Sequence, residues 1–500
     1  MAGGGLPLTI RPLMYRGGRI GRSLIGARAS ERAEETRKKW MARDVVDSTA
    51  IETRDDLVTW IEKGCKERSS FRLGTEHEKV PFYRDDTAPV PYERPASRQG
   101  GIRDLLEGLH ARLRWEPISD GTALIGLAAP EMGAAISLEP GGQFELSGAP
   151  LESVHEIAGE FDAHIAAVHA VAQPLDIEFL SLGMQPKWPR AAIPIMPKQR
   201  YAIMARYMPK VGTLGLDMMF RTATVQVNLD YESETDMVKK LRVGLALQPI
   251  VTAMFANSPF ADGIANGFLS MRAEIWRDTD GARTGMLPFA FDDGMSFERY
   301  VDYALDVPMY FVKRGEHYHD VSGARFRDLL TGKLAQLPGE RATMSDWANH
   351  LSTIFPEVRL KRFLEMRGAD MGGRDHVVAL PALWAGLLYD ETALDGAWQL
   401  VKSWSEQQRS ALRADVPRLA LKAEVAGRKV RDVASDVLAL ARGGLARRPY
   451  LDVSGRDETT YLDYLDEIVG ENRTSAEYWL RRYKEVWKEN IDPVFEEARL

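Results

Sequence analysis

One cysteine, Cys65, stands in a chain of 500 residues. It excludes an intrachain disulfide, and with it structural zinc sites built from four cysteines and cysteine-ligated iron–sulfur clusters. A reducing home is the simplest inference, and the chain is expected to be cytoplasmic. Long apolar runs are missing too: no stretch approaches the ~20 uninterrupted apolar residues of a membrane span. Excess positive charge is absent. The formal net charge is −7, which argues against a general nucleic-acid binder. The chain has no G-x-x-x-x-G-K-[ST] phosphate loop, no G-x-G-x-x-G turn after a strand, no G-x-S-x-G elbow and no H-E-x-x-H pair. Gly3–Gly5 and Gly141–Gly142 are too short to serve as nucleotide loops. No repeat with a period of about 20–50 residues recurs, which excludes a solenoid or propeller.

The first thirty residues carry Arg11, Arg16, Arg19, Arg22 and Arg28 and no acid. Such a composition fits an organellar transit peptide or a segment upstream of the true start, since Met41 opens a more ordinary stretch. The expectation is a disordered or artefactual extension over 1–40, followed by one catalytic domain over 41–500. Hydrophobic periodicity predicts helices over 44–66 (closing near Gly64), 102–113, 151–171 (opened by Pro150), 198–207, 234–255 and 300–307. Strands are predicted over 71–79, 115–119, 123–127, 135–139, 143–147, 177–183, 222–229, 309–313 and 359–366. Everything from about Val377 to Leu500 reads as helix. The fold class is α+β, a catalytic body with a helical C-terminal layer over about 377–500 packed on it.

Chemistry gathers on four of these segments. In Phe71–Lys79, alternation puts Glu76 and Glu78 on one face of a strand and His77 on the other. Two carboxylates side by side repel unless something positive lies between them; a divalent cation meets that need, as does a pair of salt bridges. In Ser137–Ser147, Glu139 ends one strand, a glycine pair turns the chain, and Gln143 and Glu145 share a face of the next. Thr224, Gln226 and Asn228 line one face of a strand that begins at Arg221, with Val225, Val227 and Leu229 opposite. Glu365 and Arg367 project together from a fourth, an arrangement that suits a salt bridge or a metal beside a phosphate clamp. Arg272 and Trp276 add a guanidinium and an aromatic wall in a segment flanked by Gly and Asn.

Together these segments resemble the plant-type glutamate–cysteine ligases of plants and proteobacteria. The resemblance rests on FRLGTEHEK, SLEPGGQFELSGAPL, PIMPKQRYAIMARYMPKVG, FRTATVQVNLDY, GLALQPIVTAMFANSPF, GFLSMRAEIWRDTDGARTGMLPFAFDD, YVDYALDVPMYF and PEVRLKRFLEMRGAD, in order along the chain from about Asp44 to Leu500. It implies a glutamine-synthetase-like fold, with a curved, largely antiparallel sheet lining the active site. It also implies ATP-dependent ligation of the γ-carboxylate of L-glutamate to the amine of L-cysteine through γ-glutamyl phosphate, the first step toward glutathione. By the same resemblance, Glu76, Glu78, Glu139, Glu145, Gln226 and Glu365 are the metal ligands, for two or three Mg²⁺ ions. Arg367, Gln143 and Asn228 fall to ATP, and Arg272, Trp276, Arg221 and Thr222 to substrate, with Arg367 and Arg272 as the catalytic pair. Small molecules are the expected partners, with no nucleic acid or membrane, and the chain is expected to be a monomer or homodimer. Alternatives are a ligase of the same scaffold with another amine acceptor, and an inactive homologue. Plant members carry extra cysteines that form a redox switch; Ala223 and Gln336 stand in the corresponding segments here, so an intrachain dithiol switch is excluded.

Overall fold

The computed structural model describes residues 47–500; the extension expected over 1–40 lies outside them. Nine strands form the principal sheet: β1 (Leu73–Tyr83), β2 (Glu116–Asp120), β3 (Ala123–Ala129), β4 (Ala134–Leu138), β5 (Phe144–Ser147), β6 (Ile177–Leu180), β7 (Thr224–Leu229), β8 (Val358–Leu360) and β9 (Leu364–Asp370). Their order is β8–β9–β7–β1–β5–β4–β3–β2, with β6 on the far half of β1. Every pairing is antiparallel. The α+β architecture with an antiparallel sheet and many helices is the one expected.

The two faces of the sheet differ because its strands alternate. On β7, Val225, Val227 and Leu229 join the main apolar core, while Thr224, Gln226 and Asn228 point the other way and are also buried. The core side is covered by helices Glu234–Met254, Arg374–Leu388 and Val154–Ala172. The first of these is buried around its whole circumference from Val243 onward, as befits a helix enclosed by sheet and further helices. His77 lies on this side, its ring 5.0 Å from Phe161 and 5.5 Å from His164, so it faces away from Glu76 and Glu78. One apolar cluster runs from Ile51 to Ala498 and includes the C-terminal helices. A second lies under the β2–β5 half of the sheet, against helices Ile102–Leu113 and Gln199–Tyr207.

Several expectations are corrected. Among the described residues, the helix expected over 44–66 spans Arg54–Glu62, capped by Thr53 and Asp56. The preceding residues run extended, with Ile51 N–H on Ala342 O at 3.0 Å. The helix placed at Pro150 starts at Val154, because Ser153 and Glu156 form a reciprocal capping box. The single strand expected over 359–366 is a hairpin, β8 and β9, joined at Lys361–Phe363. The C-terminal layer is not all helix. Ala426 and Gly427 both have positive φ (51° and 78°) and close the small hairpin Glu424–Val425/Arg428–Lys429, the backbone a two-residue turn of this hand demands.

Candidate active site

Register fixes the site. Glu78 pairs with Glu145, which pairs with Ser137 on β4; Glu76 pairs with Gln226 and Ser147; Glu365 pairs with Asn228 and Arg359. Three rungs therefore carry polar side chains across one face. Glu78 and Glu145 stand directly opposite, a like-charge pair that opposes strand pairing. Burial, then Glu139 and Glu145, pushes the Glu78 carboxyl well above the usual range. Glu145 is raised by burial and by Glu139, although the Ser137 hydroxyl donates to it. Burial, then Glu365 and Glu145, raises Glu76 to about 7. Glu76 accepts from Asn228 Nδ2 at 2.8 Å and Gln226 Nε2 at 3.4 Å, and Glu78 from the Thr224 N–H at 3.0 Å. Asn228 Oδ1 is left buried with no partner.

Glu139 follows the end of β4 at a turn that packs tightly. A Cβ on Gly141 would come within 2.2 Å of Phe220 O, and Gly142 has φ +86°, so only glycines fit. Gln143 braces this turn: Nε2 donates to Thr222 O (2.8 Å) and Met219 O (3.2 Å), and Oε1 accepts from Gly141 N–H (2.9 Å). Its amide, expected to meet ATP, is thus engaged with backbone.

At the other end of the face three cations surround one carboxylate. Arg359 grips Glu365 with Nη2 at 2.6 Å and Nε at 3.2 Å, Lys361 approaches at 2.9 Å, and Arg367 bonds both Glu365 and Gln226 Oε1. Burial alone would raise Glu365; Arg359, Lys361 and Arg367 overcome it and hold the group well below the usual range. Glu365 and Gln226, expected as metal ligands, here hold Arg367. Arg359 and Lys361 were missed from sequence. Their signal was the basic run Arg359–Arg362, but without the turn at Lys361–Phe363 nothing directed it back onto Glu365.

Arg272 is buried, with Nη2 donating to Arg367 O at 2.9 Å and its guanidinium 5.9 Å from the Trp276 ring. Its segment is pinned by Asp370, another residue given no role from sequence. Asp370 accepts from Ser258 Oγ (2.7 Å), Ser270 Oγ (2.9 Å) and Asn257 N–H (2.8 Å), and Ser258 Oγ accepts from Arg272 N–H (3.1 Å). Arg272 and Trp276 line a cavity of about 30 Å³ with Phe355, Glu357, Arg367 and Arg413. Arg272 Nε and Trp276 Nε1 are buried donors without a partner. Arg221 and Thr222 are elsewhere. Arg221 pairs with Asp217 (3.2 Å) and Asp262 (3.3 Å) beside a separate cavity of about 560 Å³, and Thr222 Oγ1 donates to Met218 O.

The arrangement supplies hard oxygen donors at one end of a sheet face and guanidinium donors at the other. Residues 72–497 match the family model described as Glutamate-cysteine ligase family 2 (GCS2). The chain is 53% identical over 454 residues to the chloroplastic glutamate–cysteine ligase of Arabidopsis thaliana, covering 91% of this chain and 84% of that one. It is 52% identical to the chloroplastic glutamate–cysteine ligase B of Oryza sativa subsp. japonica, covering 91% and 88%. Among solved structures, a glutamate–cysteine ligase from Francisella tularensis, in complex with AMP, superposes with a TM-score of 0.49 at 12% identity, covering 86% of this chain and 88% of that one. The chloroplastic relatives overturn the expected cytoplasmic placement. The error has a physical source: a lone cysteine speaks for a reducing compartment, not for which one. With the family model spanning most of its length and half its residues shared with these enzymes, the chain belongs to glutamate–cysteine ligase family 2.

Proposed function

We propose that the chain couples the γ-carboxylate of L-glutamate to the amine of L-cysteine at the expense of ATP, giving γ-glutamylcysteine, ADP and phosphate. A γ-carboxylate oxygen attacks the γ-phosphorus of ATP as the bond to the β-phosphate bridging oxygen breaks and ADP leaves. The amine nitrogen then attacks the acyl carbon of γ-glutamyl phosphate, the carbon–oxygen bond to phosphorus breaks, and phosphate departs while the nitrogen gives up its proton to solvent. Such a reaction is accelerated by positioning and by fixed charge. The observation that carries the reading is the sheet face itself, with opposed glutamates beside an arginine held by Glu365 and Gln226.

The residues suit Mg²⁺. Among the described residues no group of three or more acids, histidines or cysteines closes into a cage. Yet Glu78 and Glu145 stand directly opposite each other on adjacent strands, and Asn228 Oδ1 is a buried acceptor lacking a donor. Glu76, Glu78, Glu139 and Glu145 would hold the ions, two or three in number, with Asn228 beside them. When bound, Mg²⁺ neutralises polyphosphate charge. Arg367 faces the transferring phosphoryl, and Arg272 with Trp276 takes the α-carboxylate of glutamate. The 30 Å³ cavity between them admits a carboxylate head or one or two waters. The test is ADP release dependent on glutamate, cysteine and Mg²⁺, with γ-glutamylcysteine identified in the products. Turnover with 2-aminobutyrate or another amine but none with cysteine would reassign the acceptor. No turnover with any acceptor would sink the proposal.

A further inference from the structure

The helix Glu406–Leu419 belongs to the C-terminal layer, yet it reaches the arginine cavity through Arg413. Arg413 Nε donates to the Glu357 carboxylate at 2.6 Å, and Nη2 to Trp276 O at 3.3 Å. Its guanidinium lies 3.4 Å from where a Cβ of Gly285 would stand, an ordinary packing distance, and the φ of +92° at Gly285 is what calls for glycine there. The same helix offers Pro417 O to the N–H groups of Leu269 (2.8 Å) and Ser270 (3.0 Å), just before Arg272.

These contacts close a ring. Glu357 O accepts from Arg367 N–H at 3.3 Å, Arg367 O accepts from Arg272 Nη2 at 2.9 Å, Arg272 lies over the Trp276 ring, and Trp276 O returns to Arg413. Glu357 also acts on Arg272 through space. Within the ring, Arg272 Nε and Trp276 Nε1 are the buried donors with no partner. We infer that the Arg413–Glu357 pair is a positioning device, by which the C-terminal helical layer orients those two donors for the substrate carboxylate. The inference rests on the reading above that Arg272 takes the α-carboxylate of glutamate. Arg413 and Glu357 touch no reacting atom; they act through Trp276, Arg272 and the backbone of Arg367.

A pair that merely fastened a helix would lower the stability of the chain without selecting one substrate. A positioning pair separates the substrates instead. Steady-state kinetics on the full chain are expected to give Arg413→Met a glutamate KM raised about tenfold, the ATP KM within about twofold, and a smaller change in kcat, since displaced orienting contacts cost on this scale. Arg413→Lys, which keeps the charge opposite Glu357 but lacks the second arm for Trp276 O, is expected to recover part of the loss. Glu357→Gln is expected to raise the glutamate KM alone and to add little on top of Arg413→Met, because the two act as one unit. Arg272→Lys serves as the reference. If Arg272→Lys raises the glutamate KM while Arg413→Met and Glu357→Gln leave it within about twofold of wild type, the inference is wrong and the reading of Arg272 stands. If Arg272→Lys leaves it unmoved, both are wrong. Should Arg413→Met fail to fold, Arg413→Lys and Glu357→Gln decide by the same split between glutamate and ATP.

Discussion

Glu365 and Glu76 are both buried acids on the same sheet face, and the charges around them are opposite. Around Glu365 stand Arg359, Lys361 and Arg367; on Glu76 the charges of Glu365 and Glu145 outweigh that of Lys361. Neutralising the two has different consequences. Glu365→Gln leaves buried Arg359 and half-buried Lys361 and Arg367 with no full counter-charge, a loss that costs on the order of 3–5 kcal/mol when a buried pair is broken. It is expected to lower the urea midpoint and to cut turnover by at least ~100-fold, since Arg367 loses its anchor. Glu76→Gln removes a repelling charge. In the presence of EDTA at pH 8 its urea midpoint is expected to equal or exceed wild type, while turnover with Mg²⁺ falls by at least ~100-fold. Equal stability losses in the two variants would show that Glu365 is not the electrostatic keystone. The Glu76/Glu78 alternation was legible from the sequence, as was the proximity of Glu365 to Arg367. The grip of Arg359 and Lys361 was not, because it depends on a three-residue turn that contains neither glycine nor proline, Lys361–Phe363.

Strands were easier to read than their ends. β3, β4, β5 and β7 fall within two residues of their predicted bounds at either end: β5 and β7 alternate between a core side and a polar side, and β3 and β4 are short apolar runs bounded by turns. The core helix Glu234–Met254 was visible from its long, mainly apolar run behind an acidic start. Helix starts went wrong where a cap outranked a proline: Ser153 and Glu156 satisfy backbone donors that Pro150 cannot reach. The helix they start, Val154–Ala172, carries a further consequence that no sequence pattern announces. Glu160 accepts the Ala149 N–H at 2.8 Å and is raised by burial from 4.5 to about 7. A carboxyl whose folded pKa is raised stabilises the protein most fully below the unfolded value and loses that contribution as pH climbs through the folded one. Stability is therefore expected to fall between pH 4.5 and about 7. A displacement of this size corresponds to ~3 kcal/mol, and partial exposure brings the expected change to about 2 kcal/mol. Glu160→Gln keeps an acceptor for Ala149 and cannot ionise. Urea melts should show it more stable than wild type at pH 8 by about that amount and level with it at pH 4. An identical pH profile for both proteins would remove Glu160 from the account.

Over the whole molecule, the packing of catalytic sheet and helical layer was harder to foresee than either part. Sequence periodicity identified apolar helix faces after Val377, but not that Leu412 and Val416 would share a core with Ile51 and Leu57 across the chain. Nor did it indicate that Arg413 would reach the arginine cavity. Long-range placement depends on which faces find each other, and one sequence records only that the faces exist. What the sequence does settle at this scale is redox behaviour. With Cys65 alone no two thiols of one molecule can join. Ala223 and Gln336 carry no sulfur, the first fully buried and the second exposed. Cys65 itself is a poor nucleophile. Burial, then Glu62, Asp236 and Glu234, pushes its thiol up to about 11, which leaves on the order of 0.1% thiolate at pH 8 and slows disulfide exchange with glutathione or another chain. Activity in a monomeric preparation is expected to change by less than about twofold on treatment with oxidised glutathione or diamide, and dithiothreitol should add nothing. Cys65→Ser, lying outside the sheet face, should give the same flat response. A large loss reversed by dithiothreitol in the wild type but absent from Cys65→Ser would place a redox-sensitive step at this residue after all; the same loss in both would point to chemistry on the substrate cysteine rather than on the enzyme.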